Sequence, residues 1–315
     1  MIRYYARIDG LITELAERQP GCWINIAPPV TQEEIDQLSE ELLVPLDFFT
    51  DPLDIDERSR YEREEDARLI IVNTAVLNER DGENEAIYLT IPIGIILVPS
   101  YVITITSTEN PVLDLFLENK VRNADPADDR MFVLRILEEN VYRFLSCLKK
   151  LNLRRNLIEQ ELYYSSRNQE LKQLLSIEKS LVYFVNSLNA NELLKMKIKR
   201  TDFIGIQGNE DRVELFEDII IDNSQALEMA NVYTNIIGST MEAYAGIISN
   251  NLNMVIQRLT LITIILMVPT LVASIFGMNV PSGLENSPTA IYYIIVISII
   301  FSLLLAWFFR RKRLF

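Results

Sequence analysis

Two long apolar runs near the C-terminus constrain this chain more than any other feature. The segment from Arg258 to Asn279 contains an uncharged run, Leu259 to Phe276, and a second apolar run extends from Ala290 to Phe309. A helix needs about 20 mainly apolar residues to cross the hydrocarbon core of a bilayer. The two runs therefore predict two membrane-spanning helices, preceded by a large acidic part with the character of a soluble protein.

Composition excludes several classes of function. The net charge of the 315 residues is −14, whereas a nucleic-acid binder needs clustered Lys and Arg to neutralise phosphates. The acidity suits a protein that meets cations, although a solubilising surface is the simpler explanation. The absence of histidine from the sequence removes Ser-His-Asp catalysis and His-based zinc sites. Cys22 and Cys147 form no paired motif, so two unreactive thiols are expected. No apolar signal peptide is recognised at the N-terminus.

Residues 1–130 have the pattern of an α/β domain. Thr31, followed by Glu33 and Glu34, predicts the N-cap of a helix that ends near residue 43. The apolar, β-branched stretch 68–78 predicts a strand, and Asp81-Gly82 predicts a tight turn after it. The stretch 86–107 is long enough to be mistaken for a membrane span, but its prolines and glycine favour two or three strands instead. The many acids before residue 68 are taken as a solvated face.

Helical periodicity follows over residues 131–210, as an antiparallel hairpin or a coiled stalk. The next predicted helix occupies residues 211–279, meets no proline before Pro269, and continues into the first span at about residues 258–277. Such a helix is about 100 Å long, of which only about 30 Å fits within hydrocarbon. The remainder needs other helices to pack against, so a homo-oligomeric bundle is expected.

The distribution of charge predicts the topology. The connecting segment 280–289 contains Glu285 and no basic residue, whereas the tail 310–315 begins with Arg310-Arg311-Lys312-Arg313. The positive-inside rule places the tail in the cytoplasm and the segment outside. With spans at about 258–277 and 290–309, the N-terminal domain is also expected to be cytoplasmic.

The first span has one face that carries small polar residues. At steps of three and four residues, this stripe contains Thr260, Thr263, Met267, Thr270 and Ser274. It extends to Asn253 and Ile256 on one side and to Gly277 on the other. The opposite face is apolar and contains Leu261, Ile262, Ile265, Val268 and Val272. Such a stripe is either a contact between helices or a water-facing surface. The end of the run in Gly277-Met278-Asn279 favours water, because non-helical backbone at membrane depth needs a lined cavity.

These features together resemble the CorA-type divalent-cation (magnesium) channels. The resemblance rests on Gly277-Met278-Asn279 at the end of the first of two C-terminal spans, the short connecting segment, the basic tail, the long preceding helix and the acidic α/β domain. It implies an α+β membrane protein with an N-terminal cytoplasmic α/β domain, a long helical stalk and two C-terminal transmembrane helices in the cell membrane. It also implies a homopentamer, although no residue pattern counts subunits.

The resemblance assigns roles to individual residues. A ring of Asn279 side chains would bind a hydrated cation at the outer mouth, where Gly277 permits the turn and Met278 packs. The pore-lining positions it implies are Asn253, Ile256, Leu259, Thr263, Met267, Thr270 and Ser274. The helix half of a regulatory Mg²⁺ site between subunits would be Asp218, with Glu79 or Asp81 from a neighbour. For each of these acids, an ordinary surface charge is the competing interpretation.

Departures from the family pattern leave alternatives open. Phe276 stands where the family commonly has Tyr, and the segment after Asn279 lacks the family's usual Met-Pro-Glu-Leu string. The leading hypothesis is passive Mg²⁺ uptake, with Co²⁺ and Ni²⁺ as further candidate ions. Met278 favours this branch over a zinc-transporting relative, which can carry Ile there. A membrane-anchored sensor or scaffold is the alternative from another class. No catalytic pair, nucleotide motif or organic cofactor motif is recognised, so an enzyme is not expected.

Overall fold

The computed structural model describes residues 1–79, 85–164, 168–278 and 289–312. The chain divides into two compact units, Met1–Ser239 and Thr240–Phe315. Asp81 and Asn279 of the predicted sites lie outside the described residues, as do the predicted Asp81-Gly82 turn and Glu285.

The first unit is built on a seven-stranded sheet with the order β2-β1-β3-β7-β6-β5-β4. Neighbouring strands are antiparallel except for β3 and β7, which are parallel. The strands are β1 (Ile2–Ile8), β2 (Leu11–Leu15), β3 (Trp23–Ile26), β4 (Arg60–Glu64), β5 (Ala67–Leu77), β6 (Tyr88–Val98) and β7 (Tyr101–Ile105).

The sheet confirms the strands predicted between residues 68 and 107. The stretch 68–78 is β5, and 86–107 forms β6 and β7 rather than a membrane span. The strands β1 to β4 were not predicted. β4 has the sequence RYERE and lies at the edge of the sheet, where charged side chains are common because they discourage pairing with other chains. Its acids Glu62 and Glu64 are exposed, in agreement with the predicted solvated face.

Helices cover both faces of the sheet, so β5 and β6 are apolar along nearly their whole length. The helices of this unit are α1 (Gln32–Leu42), α2 (Asp47–Thr50), α3 (Pro111–Leu117), α4 (Asp129–Tyr164), α5 (Asn168–Thr201) and α6 (Glu210–Phe276), which continues into the second unit; a 3-10 helix (Asp51–Leu53) follows α2. On β5, Ile70 and Val72 belong to a core with α3 and α4. The alternate residues Leu69 and Ile71 belong to a core with α1 and α2.

Two local features explain why the sequence folds in this way. Thr31 caps α1: its hydroxyl accepts from the Glu34 N–H at 3.3 Å, and the Glu34 carboxylate accepts from the Thr31 N–H at 2.9 Å. The predicted capping box is therefore confirmed. Gly94 in β6 lies so close to the 3-10 helix that a Cβ there would be 2.4 Å from Pro52 Cγ. Glycine is needed there because a side chain would displace Pro52.

The helical prediction after residue 131 is confirmed by α4 and α5, and α5 begins at Asn168. The two helices pack together, with the rings of Phe144 and Phe184 at 5.2 Å. Helix α6 confirms the long helix predicted from near residue 211 through Pro269. In the second unit, its C-terminal part is accompanied by α7 (Ala290–Arg311).

Candidate functional site

The C-terminal part of α6 has two different sides. Leu261 is buried, and Ile265, Val268, Pro269 and Val272 are half-buried, whereas the other residues from 259 to 276 are exposed. Ser302 of α7 reaches this side and donates a hydrogen bond to the Ile265 carbonyl oxygen at 3.4 Å. These residues therefore mark the side that packs against α7. The apolar face predicted from the sequence is confirmed here except for Ile262, which is 45% exposed.

The residues expected to line a pore lie on the other side of α6. At about 100° of rotation per residue, their mean direction is about 170° from that of the residues that pack against α7. All seven are exposed within the chain: Asn253, Ile256, Leu259, Thr263, Met267, Thr270 and Ser274. Helix α6 therefore brings these positions onto one side and leaves that side uncovered by α7.

The threonines on this side satisfy their own donors within the helix. Thr260 donates to the Ile256 carbonyl at 2.9 Å, and Thr263 donates to the Leu259 carbonyl at 2.8 Å. Thr270 donates to Met267 at 2.7 Å. Each hydroxyl oxygen keeps lone pairs that can accept a further hydrogen bond. The stripe can therefore accept hydrogen bonds from water molecules around a cation, without leaving an unpaired donor in an apolar environment.

Pro269 interrupts the hydrogen bonding of α6 where the helix packs against α7. Proline has no N–H, so the carbonyl of Ile265, four residues earlier, loses its usual helical donor. The Ser302 hydroxyl takes that place. Helix α6 nevertheless continues through Pro269 to Phe276, because neighbouring polar side chains can satisfy the freed carbonyl of a membrane helix.

The tripeptide at the end of α6 is described for two of its three residues. The Gly277 N–H donates to the Ala273 carbonyl at 2.9 Å, and the Met278 N–H donates to Ile275 at 3.4 Å. A Cβ on Gly277 would lie 3.2 Å from the Ala273 oxygen, so glycine allows the chain to turn tightly. Met278 is exposed. The position of Asn279 lies outside the described residues, and its assignment to the mouth stays a prediction.

Among the described residues, two helices are long and apolar enough to cross a membrane: α6 through its C-terminal part, and α7. In α7, Tyr292 and Tyr293 are exposed near the start and Trp307 is exposed near the end. The Arg311 guanidinium lies over the Trp307 ring, 5.3 Å from its centroid. Aromatic residues with an adjacent cation are typical of the boundary between hydrocarbon and water.

The candidate regulatory residues are distributed on the surface of the first unit. Phe216 is buried in the core and fixes the start of α6, while Asp218 points outward and is exposed. Glu217 pairs with Lys199 of α5 at 2.8 Å. Glu79 is exposed just after β5. Among the described residues, no three His, Cys, Asp or Glu side chains come together to hold a metal ion. Asp218 and Glu79 can therefore contribute to a metal site only with further ligands.

Sequence reasoning missed a lysine that is buried inside the fold. Lys195 of α5 is completely buried, with its ammonium nitrogen 2.6 Å from Asn223 Oδ1 of α6. A signal for it exists in the sequence: it occupies a helical core stripe, at steps of three and four, formed by Leu181, Phe184, Leu188, Asn191, Lys195 and Ile198. A lysine at a core position of such a stripe predicts a buried charge.

For the two cysteines, the environment in the structure agrees with the prediction from the sequence. Cys22 and Cys147 are free and buried, and burial raises the pKa of both thiols. A thiol with a raised pKa is a poor nucleophile and a poor metal ligand at neutral pH. The prediction of two unreactive thiols agrees with this environment.

Comparisons with known proteins agree with this architecture. The family model for the "CorA-like Mg2+ transporter protein" matches residues 19–311. The chain is 27% identical over 295 residues to the cobalt/magnesium transport protein CorA of Methanocaldococcus jannaschii, covering 92% of this chain and 90% of that protein.

Solved structures show the same fold. The complete CorA magnesium transporter from M. jannaschii matches with a TM-score of 0.83 at 24% identity, over 99% of this chain and 98% of the other. The cytoplasmic domain of ZntB from Vibrio parahaemolyticus matches with a TM-score of 0.60 at 13% identity, over 79% of this chain and 98% of that domain. The predicted fold class, an α/β domain with a long helix and two apolar C-terminal helices, is confirmed.

Proposed function

The chain belongs to the CorA-like Mg²⁺ transporter family, and from this membership we propose that it forms a homo-oligomeric channel for passive uptake of hydrated Mg²⁺. Membership itself makes it a divalent-cation transporter of a membrane. The choice of Mg²⁺, the oligomer, the orientation and the control by Mg²⁺ are parts of the proposal. The observation that carries it is the uncovered side of α6, where polar and flexible side chains lie opposite the side that packs against α7.

A pore built from this side needs several copies of α6 around one axis. The family resemblance implies five. In that assembly α7 lies outside the ring, because it covers the opposite side of α6, and contacts lipid. Asn253, Thr263, Thr270 and Ser274 then supply polar rings, while Ile256, Leu259 and Met267 form apolar constrictions. A narrow apolar ring can stop conduction by excluding water.

The polar rings suit an ion that keeps its water. Mg²⁺ loses water reluctantly and usually retains several water ligands when bound. Asn279 amide oxygens at the outer mouth, next to Gly277 and Met278, can hydrogen-bond to that shell without replacing it. Amide and hydroxyl rings bind more weakly than carboxylate rings would, and conduction requires sites that the ion can leave. A divalent ion gains about 4.6 kcal/mol in crossing 100 mV, so passive entry is sufficient.

Control is proposed to come from intracellular Mg²⁺ bound between subunits. Asp218 is exposed on α6 and is available to a neighbour, with Glu79 or Asp81 as the candidate partners. Bound Mg²⁺ would neutralise repulsion between these carboxylates and favour the closed state. Both termini are proposed to be cytoplasmic, which places these residues where the imported ion accumulates.

Flux into liposomes that contain the purified full-length protein tests the proposal. We expect Mg²⁺ uptake that depends on membrane potential and falls strongly in Asn279→Ala. Ser298→Ala, in α7, serves as the control, because its hydroxyl donates within its own helix and flux should not change. Absence of Mg²⁺ uptake by the wild type would favour a membrane-anchored sensor or scaffold.

Competition between ions separates the members of the family. Uptake of Mg²⁺ is measured in the presence of Co²⁺, Ni²⁺ or Zn²⁺ in the same liposomes. Inhibition by Co²⁺ and Ni²⁺ with little effect of Zn²⁺ supports a magnesium channel. Uptake of Zn²⁺ in preference to Mg²⁺ would instead show a zinc-transporting relative.

A further inference from the structure

Lys195 is the one lysine with a completely buried side chain among the described residues. It lies on α5, and its ammonium nitrogen is 2.6 Å from Oδ1 of Asn223, on α6. The Asn223 amide nitrogen donates back to the Leu188 carbonyl of α5 at 3.1 Å. Asn223 is also completely buried. Lys195 and Asn223 therefore join α5 to α6 through a hydrogen-bonded contact without access to water.

The buried ammonium group of Lys195 has few hydrogen-bond acceptors and no directly paired carboxylate among the described residues. It has three donors, and the described residues give it one hydrogen bond, to a neutral amide. Glu192, one turn earlier on α5, supplies the negative charge that acts on the pKa of Lys195, but its carboxylate accepts from the Ser224 hydroxyl of α6. Burial lowers the pKa of Lys195 from 10.5 to about 7, although the charge of Glu192 opposes this. The side chain therefore exchanges a proton near neutral pH.

The helices around Lys195 supply few other charges. On α5, Lys199 pairs with Glu217 of α6 at 2.8 Å. On α6, Asp222 is half-buried next to Asn223. Burial raises the pKa of Tyr142, and the charges of Glu138 and Asp222 add to this. On α4, Arg135 pairs with Glu138 at 2.7 Å, and burial raises the pKa of the neighbouring Glu139.

The charged residues of the strands that pack against α5 form their contacts with groups other than Lys195. Arg60 of β4 pairs with Asp51 and Glu57. Arg68 of β5 donates to the Phe203 carbonyl at 2.9 Å. The sequence of β6 contains no charged residue. The protonation of Lys195 is therefore governed by burial, by Asn223 and by Glu192.

We propose that protonation of Lys195 weakens the contact between α5 and α6, so that the packing of this part of α6 depends on pH around neutrality. The neutral amine can remain buried with its hydrogen bond to Asn223. The ammonium ion is far better solvated by water, so protonation favours local separation of the two helices. This proton site lies inside the first unit, and its effect does not rest on the proposed transport function.

The expected size of the effect follows from linkage. In the separated state Lys195 regains its ordinary pKa of 10.5, whereas in the packed state the pKa is about 7. The packed state therefore binds fewer protons between these two values, and packing strengthens as the pH rises through that window. From pH 6 to pH 8, the population of the separated state should fall about tenfold.

Amide hydrogen exchange of the full-length protein in detergent micelles measures this population. After correction for the intrinsic pH dependence of exchange, amides of residues 188–195 and 219–227 should be protected about tenfold more at pH 8 than at pH 6. The double variant Lys195→Met with Asn223→Leu removes both polar partners together and should lose the difference. Lys199→Met, an exposed lysine on the same helix, should retain it.

Two results would overturn the inference: equal protection of the wild type at both pH values, or an unchanged tenfold difference in the double variant. Lys195→Arg gives a further check, since arginine stays charged and should show low protection at both pH values. Mg²⁺ flux measured at pH 6 and pH 8 in the same variants then shows whether the helix contact influences transport. If the double variant loses the pH dependence of flux but keeps the wild-type difference in exchange, the proton site that controls flux is not the contact between Lys195 and Asn223.

Discussion

The Ser302 hydroxyl of α7 donates a hydrogen bond to the Ile265 carbonyl of α6 at 3.4 Å, at the position where Pro269 removes the helical donor. The bond joins the two predicted spans at the one carbonyl that the proline sets free. Polar contacts of this kind contribute about 1 kcal/mol between membrane helices. The same contact fixes which side of α6 faces α7.

Ser302→Ala should lower the stability of the second unit. The Ile265 carbonyl would be left without a donor, at a cost of about 1 kcal/mol. The apparent Tm of the full-length protein in detergent measures the change. Ser298→Ala is the matched control, because Ser298 donates to the Ile294 carbonyl of its own helix at 2.7 Å. Equal Tm values for the two variants would contradict a specific role for Ser302.

Met267→Ser should open the proposed constriction. Met267 lies on the side of α6 away from α7 and is exposed within the chain. A hydroxyl in a narrow apolar ring lets water remain there, and water is required for conduction. We expect flux at high internal Mg²⁺ to rise several-fold above that of the wild type.

Ile264→Ser is the control for this prediction. Ile264 is also an exposed apolar residue of α6, but it is rotated by about 90° from the proposed pore side. The Mg²⁺ flux of Ile264→Ser should match that of the wild type. If both variants leak equally, the apolar ring is placed on the wrong side of the helix.

Asp218→Asn should reduce inhibition by Mg²⁺. The substitution removes a charge that Mg²⁺ prefers as a ligand while it keeps the shape of the side chain. In liposomes, the internal Mg²⁺ concentration that halves the flux should rise several-fold. Asp211→Asn, at an exposed acid in the first turn of the same helix, should leave this concentration unchanged. Unchanged inhibition in Asp218→Asn would remove Asp218 from the regulatory site.

Asn191→Ala should destabilise the first unit. The Asn191 side chain accepts from the Asn73 N–H at 3.1 Å and donates to the Asn73 carbonyl at 2.9 Å. Asn73 lies just beyond Ile71, where β4 stops pairing with β5, so the side chain replaces the missing strand. Loss of these bonds should cost about 2 kcal/mol. Chemical denaturation measures this loss in the free energy of unfolding. Asn189→Ala, at an exposed position of the same helix, is the control. Equal losses in the two variants would mean that Asn191 acts only through helix propensity.

Several elements could be predicted because their causes are local. The capping box at Thr31, the apolar strand β5 and the uninterrupted helix α6 each depend on neighbouring residues and on periodicity. The spacing of the stripe from Thr260 to Ser274 likewise placed its members on one side of a helix. The functional reading of Gly277-Met278-Asn279 came from a family resemblance, which the matches confirm at the level of the family.

Other elements could not be predicted because their causes lie far away in the sequence. Strand β4, with its charged RYERE sequence, is a strand because it pairs with β5 at an edge of the sheet. Two single residues acquired their roles from another helix: Ser302 at the carbonyl freed by Pro269, and Lys195 against Asn223.

The amino-acid sequence alone is sufficient to predict two apolar helices long enough for a membrane, a polar stripe on the first of them and an acidic α/β domain before them. These follow from residue type and periodicity, which act over a few residues. Contacts in the folded chain, by contrast, establish which side of α6 is covered by α7 and bury Lys195 against α6. Those outcomes depend on which surfaces meet, because burial and hydrogen bonding act between residues that are distant in the chain.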